Sequence, residues 1–250
     1  MNARRKVLEL RKIRILKIGG SVITDKDEGA FEKLNRDALK EVCRAISESW
    51  KDLIVVHGAG SFGHPHVKKY GLKTLGASKV HLACLRLSEH FCSTLVEFGV
   101  PALPIHPMTF YTRTQSLECN IEYITRALNS RLLPVLHGDV IFGREGIEVL
   151  SGDDIVIHLS EFIKPSRIGF ATDVEGVLLK GGVVERLDTD TMEKIGYEGE
   201  EKTDVTGGML NKIRKIFSMK HRCEVFIFRG DYDNLKKFLN GEKVGTEVVL

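Results

Sequence analysis

Leu53-Ile54-Val55-Val56-His57-Gly58-Ala59-Gly60-Ser61-Phe62-Gly63-His64 is the stretch that decides the architecture. Four apolar residues run without a polar interruption up to His57, and then glycine recurs three times in six positions. A continuous apolar run of that length reads as a strand buried on both faces, which is the habit of parallel sheets. Glycine directly after such a strand lets the backbone approach a ligand closely, and its amides can gather round an anion. Ligands of open α/β sheets bind at these carboxyl ends.

The same design appears twice more. Ile13–Ile18 is a β-rich run that stops at Gly19-Gly20-Ser21, and Leu132–His137 runs into Gly138-Asp139. Working outward, helical periodicity begins at Asn35 and carries Leu39, Val42, Cys43 and Ile46 on one face. Residues 78–98 predict a long helix, Ile121–Asn129 a shorter one, Ile155–Glu161 another, Thr206–His221 another, and Asn234–Leu239 the last. Ala102–Ile105, Arg167–Ala171, Glu224–Phe228 and Thr246–Leu250 read as strands. Val140–Phe142 and Ile147–Leu150 flank Gly143-Arg144-Glu145-Gly146 as a hairpin. Alternating strands and helices predict an α/β fold, a three-layer αβα sandwich around a mainly parallel central sheet. The expected division is a basic extension over 1–12, an N-terminal lobe over 13–162 and a C-terminal lobe over 163–250, parted near Pro165.

Composition narrows the class. The chain has 250 residues, 42% hydrophobic and 28% charged, which suits a globular core and not a disordered chain. No apolar run approaches the ~20 residues that span a bilayer, and no long apolar segment follows the charged start before Arg11. The net charge is +3, but residues 1–14 alone carry +5, leaving −2 for the rest. That balance predicts no nucleic-acid partner. Cys43, Cys84, Cys92, Cys119 and Cys223 are odd in number and form no C-x-x-C pair, so the expected setting is the reducing cytoplasm, without a zinc site or disulfide framework.

Gly58, Gly60 and Gly63 also satisfy G-x-G-x-x-G. A dinucleotide site needs an acidic residue ~20 positions on. Pro65–Ser88 contains neither Asp nor Glu, and Glu89 is the first. Walker-A and protein-kinase signatures are missing as well.

Phosphoryl transfer asks for charge neutralisation and in-line positioning. Lys17 ends an otherwise apolar strand immediately before a glycine loop. Lys26 follows just beyond it, and Lys212 follows Gly207-Gly208 at a helix start. Each could be an ordinary surface cation; jointly they suit a phosphate site. Ser151-Gly152-Asp153-Asp154 is a good helix start, and Asp153 could also organise the lysines. Asp173, after another strand, could be a turn residue or could meet a nucleotide. His64 closes the second glycine loop and, if protonated, could grip a phosphate. His66 nearby lacks the partners of a metal site.

Lys17-Ile-Gly-Gly-Ser-Val-Ile-Thr24, His57-Gly-Ala-Gly-Ser-Phe-Gly-His64, Gly138-Asp139, Ser151-Gly-Asp153, Thr172-Asp173-Val-Glu-Gly176 and Asp204-Val-Thr-Gly-Gly-Met209 with Lys212 occur in an order that resembles the isopentenyl phosphate kinases, a branch of the amino acid kinase family. The general pattern is shared by acetylglutamate, carbamate, uridylate and glutamate 5-kinases; the loop ending in His64 is more selective and also resembles fosfomycin kinase. The resemblance implies transfer of the γ-phosphoryl of ATP, with Mg²⁺, to isopentenyl phosphate by a homodimer. It implies that Lys17 and Lys212 stabilise the moving phosphoryl, that Lys26 assists at the γ-phosphate, and that Asp153 orients the lysines. By the same resemblance Gly19, Gly20, Ser21 and Gly60 cradle ATP phosphates, with Asp173, Gly176, Gly207 and Gly208 on the nucleotide side. Ala59, Gly63, His64 and Gly152 would hold the acceptor phosphate. No side-chain metal ligand is expected.

The acceptor class agrees with elementary chemistry. A phosphate monoester is largely ionised at pH 7, its second pKa being about 6, so it can attack without a protein base. Its tail needs an apolar wall, for which Val80–Leu95, with Leu82, Leu85 and Phe91, is the expected segment. A non-catalytic phosphate-binding protein of the same fold is the competing class.

Overall fold

The computed structural model describes residues 12–25, 29–179, 182–192 and 207–250. Its N-terminal half comprises β1 (Arg14–Ile18), α1 (Gly20–Ile23), α2 (Arg36–Glu48), β2 (Leu53–His57), α3 (His64–Tyr70), α4 (Leu75–Glu97), β3 (Ala102–Ile105), α5 (Pro107–Phe110), β4 (Tyr111–Arg113), β5 (Leu117–Cys119) and α6 (Glu122–Asn129). There follow β6 (Leu133–His137), β7 (Asp139–Gly143), β8 (Gly146–Leu150), α7 (Gly152–Ile163), β9 (Arg167–Thr172), β10 (Leu178–Leu179), β11 (Gly182–Val183) and β12 (Arg186–Leu187). The last elements are α8 (Gly207–Phe217), β13 (Glu224–Arg229), α9 (Tyr232–Leu239) and β14 (Thr246–Val248).

Eight strands form the main sheet in the order β12-β14-β13-β9-β1-β2-β6-β3. From β13 to β3 every pairing is parallel; β14 runs antiparallel to β13, and β12 runs with β14. The expected sandwich with a mainly parallel sheet is what the chain forms. Side chains alternate across the sheet. Ile15, Ile54, Val56, Ile168 and Phe170 pack under α7 and α8 through Ile155, Val156, Leu159, Ile213 and Ile216. Leu16, Ile18, Val55, Leu133 and Val135 pack on the other side with α2, α4 and α9 through Val42, Ile46, Phe91 and Phe238. Helices covering both faces explain why the strands carry no polar alternation.

Helix starts follow their capping residues. Asn35 accepts from the Ala38 amide at 3.1 Å, Ser151 from Asp154 at 3.2 Å and Asp231 from Asn234 at 2.9 Å. A separate four-stranded sheet, β5-β4-β7-β8, contains the expected hairpin. The glycine break expected after β1 is the start of a one-turn helix, α1, which begins at Gly20 itself. Strands β4 and β5 were likewise not expected: at three residues each they are too short to show a period. The basic extension up to Arg11 and most of the charged segment Lys180–Lys202 lie outside the described residues. Among the described residues no helix is long and apolar enough to cross a membrane.

Candidate active site

Four neighbouring strand tips are knitted together one residue past the sheet. Gly19 donates to the Ala171 carbonyl, Gly58 to Ile18 and Gly138 to His57, each at 2.8 Å. The chain then turns out of the sheet at each tip, so the three glycine loops lie side by side. The first two are in backbone contact. A Cβ on Gly20 would lie 2.2 Å from the Gly60 nitrogen, and one on Gly60 would lie 2.1 Å from Thr24 Oγ1. Gly60 also has φ +49°, the left-handed region that glycine enters at low cost. Thr24 Oγ1 donates to the Gly20 carbonyl at 2.8 Å and accepts from the Ser61 amide at 3.0 Å, which pins one loop on the other.

Beside this junction Asp153 sits between two ammonium groups. Its Oδ1 lies 3.0 Å from Lys17 Nζ and its Oδ2 2.8 Å from Lys212 Nζ. Strand alternation puts Lys17 on the same face as Ile15, under α7 and α8, where Asp153 and Lys212 originate. Both lysines are buried, at 8% and 9% exposure. Burial alone would push the Asp153 carboxyl up, but Lys17 and Lys212 outweigh it and hold the group well below the usual carboxylate range. Lys212 is lowered to about 8 by burial and by the Lys17 charge, with Asp153 opposing. The cluster therefore carries two cations and one anion, a net positive charge in a largely desolvated place. Gly152 completes it: a Cβ there would lie 3.5 Å from Lys17 Cε and 3.5 Å from the His57 carbonyl.

On one side of the lysines Ser21 Oγ donates to Asp173 Oδ1 at 3.0 Å, joining the first loop to the end of β9. Gly176 is buried beneath Thr246, whose Oγ1 would lie 2.6 Å from an added Cβ. Gly207 opens α8, Gly208 is exposed in its first turn, and Lys212 follows on the buried face. Lys26 lies outside the described residues, as does the start of the 204–209 motif.

On the other side Ala59 and Gly63 are in contact, an added Gly63 Cβ falling 2.5 Å from the Ala59 Cβ. His64 is the first residue of α3 and is exposed. A Cβ on Gly138 would lie 3.4 Å from the Gly152 nitrogen, 3.6 Å from the Leu150 carbonyl oxygen and 3.7 Å from the Ala59 nitrogen, so the third glycine loop, the start of α7 and the second glycine loop lie within van der Waals reach of one point. The first amides of α7 have no acceptor within that helix.

The segment Val80–Leu95, expected as an apolar wall, turns its residues to three different surroundings. Phe91 is wholly buried and stacks on His57, with centroids 5.0 Å apart. Leu82 and Leu85 face an outer groove with Pro104 and His106. Instead Val80, Cys84 and Val140 form a small cluster with Ala59, Val67, Met108 and Ile147 against it. α4 is apolar around much of its circumference, so only packing shows which stripe meets Ala59.

Sequence reasoning also missed the strap before α2. Glu32 (φ +52°) binds Arg86 through both carboxylate oxygens, at 2.6 and 2.8 Å, and His66 Nε2 at 2.8 Å. Its amide donates to the Ser61 carbonyl at 3.1 Å. Nothing local signals this, since the partners lie 34 and 54 residues away.

A sheet whose loops bring two glycine turns, two buried lysines and one shared carboxylate together defines a phosphoryl-transfer protein of the small-molecule kinase type. Residues 12–229 match the amino acid kinase family, and the chain belongs to that family. It is similar to the isopentenyl phosphate kinase of Methanocaldococcus jannaschii, 36% identical over 94% of this chain and 98% of that one. It is also 36% identical to the isopentenyl phosphate kinase of Haloferax volcanii, over 94% of this chain and 97% of the relative. A crystallised isopentenyl phosphate kinase superposes with a TM-score of 0.80 at 28% identity, covering 95% of this chain and all of the other.

Proposed function

We propose that this protein transfers the γ-phosphoryl group of ATP to isopentenyl phosphate, giving isopentenyl diphosphate for isoprenoid synthesis. The observation that carries the reading is Lys17–Asp153–Lys212 beside two glycine loops in backbone contact. Its relatives bear the name of that activity.

An oxygen of the acceptor phosphate attacks the γ-phosphorus. The new O–P bond forms as the bond to the β,γ-bridging oxygen breaks, and ADP leaves with the electron pair. Charge spreads over the equatorial oxygens of the moving group, and Lys17 and Lys212 neutralise it. Asp153 holds both ammonium groups in place before ATP arrives, which removes reorganisation from the reaction step. Gly19, Gly20, Ser21 and Gly60 cradle the ATP phosphates, with Lys26 at the γ-phosphate and Asp173, Gly176, Gly207 and Gly208 on the nucleotide side. Ala59, Gly63, Gly152 and His64 hold the acceptor phosphate, and the Val80–Cys84–Val140 cluster takes the five-carbon tail. The acceptor thus occupies the half formed by residues 13–162 and ATP the half formed by 163–250.

Among the described residues no group of three His, Cys, Asp or Glu side chains could hold a metal ion, and Asp153 is committed to two ammonium groups. Mg²⁺ accompanying ATP would add charge neutralisation beside Lys17 and Lys212 and could be carried by the phosphates themselves. A homodimer fits the edge strand β3 and the neighbouring face of α4, where Leu82, Val96, Phe98 and Leu103 are exposed beside a groove of about 430 Å³. The cytoplasm supplies ATP and keeps the five unpaired thiols reduced.

The deciding experiment offers isopentenyl phosphate, UMP and fosfomycin in turn with Mg·ATP. Turnover is expected with isopentenyl phosphate; turnover with one of the others alone would refute the acceptor assignment, and nucleotide binding without turnover on any would refute catalysis.

A further inference from the structure

We propose that His57 is a positioning residue that aims the Ala59 amide at the acceptor phosphate, an inference that rests on the acceptor site proposed above.

His57 is the last residue of β2 and is fully buried between Phe91 and His137, with ring centroids 5.0 and 5.5 Å away. Its Nδ1 lies 3.1 Å from the carbonyl oxygen of the next residue, Gly58. A carbonyl only accepts, so Nδ1 carries the proton and donates. Burial lowers the His57 pKa to about 4, and the ring stays in this neutral form across the working range. The Gly58 carbonyl is thereby drawn toward the α4 side of the sheet. In a trans peptide the C=O and the following N–H point in opposite directions. Holding that carbonyl therefore turns the Ala59 N–H the other way, toward α7. The Ala59 nitrogen lies on that side, 3.7 Å from where a Cβ on Gly138 would stand, with the Gly152 nitrogen at 3.4 Å and the Leu150 carbonyl oxygen at 3.6 Å from the same point.

Without the imidazole donor the Gly58–Ala59 peptide has no such restraint. Gly58 lacks a Cβ, so its backbone can rotate at low cost. Rotation would present a carbonyl oxygen to a phosphate dianion in place of a donor. A second histidine repeats the device one strand over. His137 pairs with His57 in the parallel ladder, its Nδ1 is 3.1 Å from the Gly138 carbonyl, and its Nε2 meets His106 Nδ1 at 3.1 Å. The His137 ring, held from both ends, backs the His57 ring and fixes its plane.

The test compares His57→Leu with His57→Asn. Both replace the ring with a short side chain branched at Cγ, but only Asn keeps an N–H donor close to the position of Nδ1. KM for isopentenyl phosphate and for ATP is measured for each. His57→Leu should raise the acceptor KM about tenfold or more with ATP KM within about twofold, because a donor to a charged group is lost. His57→Asn should recover most of that loss. Equal effects in the two variants, or a parallel rise in both KM values, would overturn the proposal. If the Leu variant does not fold, the wild-type protein still decides. Adding isopentenyl phosphate should move the Ala59 amide proton downfield in a ¹⁵N-resolved spectrum, and an unmoved Ala59 resonance would overturn it. Failure of the functional reading is separate, since it appears as wild-type protein that does not turn over isopentenyl phosphate.

Discussion

Lys212 Nζ donates to Asp153 Oδ2 at 2.8 Å across 59 residues of sequence. The bond joins the start of α7 to the second turn of α8. With Lys17 on the opposite oxygen, one carboxylate organises two cations that would otherwise repel each other in a desolvated site.

Asp153→Asn removes that counter-charge while keeping the shape. The two ammonium groups should separate or lose protons, and kcat should fall about a hundredfold or more, the scale for losing a preorganised electrostatic group. Steady-state kinetics at saturating ATP measure it. A variant within threefold of wild type would show that the lysines hold their places unaided.

The depressed pKa of Lys212 sets an alkaline limit. Its folded value is about 8, against 10.5 ordinarily. In the free protein the cation is lost as pH rises through about 8, so kcat/KM for ATP should decline above that point. Bound phosphates favour the charged form, so kcat should hold to higher pH. The stability sign is opposite. The unfolded chain binds the proton more tightly, so this residue's penalty is present below about pH 8 and is relieved as pH rises toward 10.5. A flat kcat/KM profile from pH 7 to 10 would count against Lys212 as a working cation.

Gly60→Ala tests the contact between loops. The new methyl would meet Thr24 Oγ1 at 2.1 Å and the Gly20 carbonyl at 2.7 Å, at φ +49°. The loops must part, and activity should drop about a hundredfold. Gly71→Ala is the control: φ is +67° but nothing lies within 4 Å, so it should cost only about 1 kcal/mol of stability and leave kinetics intact. Similar kinetics in the two variants would deny the close approach a role.

Glu32→Ala should loosen the strap. Arg86 is well exposed, so the bidentate pair is discounted for solvent and contributes about 1–2 kcal/mol together with His66. For a chain of this size that is about 3–6 °C in Tm. Thermal unfolding monitored by calorimetry measures it; a change below about 1 °C would mean that other contacts fix the strap.

Much of the fold was legible because its signals are local. Leu53–His57 and Ala102–Ile105 were read with the boundaries they adopt, and Asn35 is the cap it resembled. Of the site, Lys17, Asp153 and Lys212 were visible as a lysine at a strand end, an acid at a helix start and a lysine after a glycine pair. That Asp153 serves both lysines was implied by the family resemblance, while the spacing of the three residues carries no sign of it. Likewise Leu82, Leu85 and Phe91 carried the helical period but not its orientation, and it is Val80 and Cys84 that pack beside Ala59.

The alternation of the longer strands and helices, the buried parallel sheet and the glycine turns were determined by sequence alone, because backbone propensity, side-chain period and capping act within a few residues. Tertiary structure decided which loops touch, which face of α4 meets Ala59, and how closely one aspartate approaches two buried lysines. Those outcomes depend on chain closure between segments far apart in sequence, where packing and the cost of an unpaired buried charge select the partners, and no local pattern records that choice.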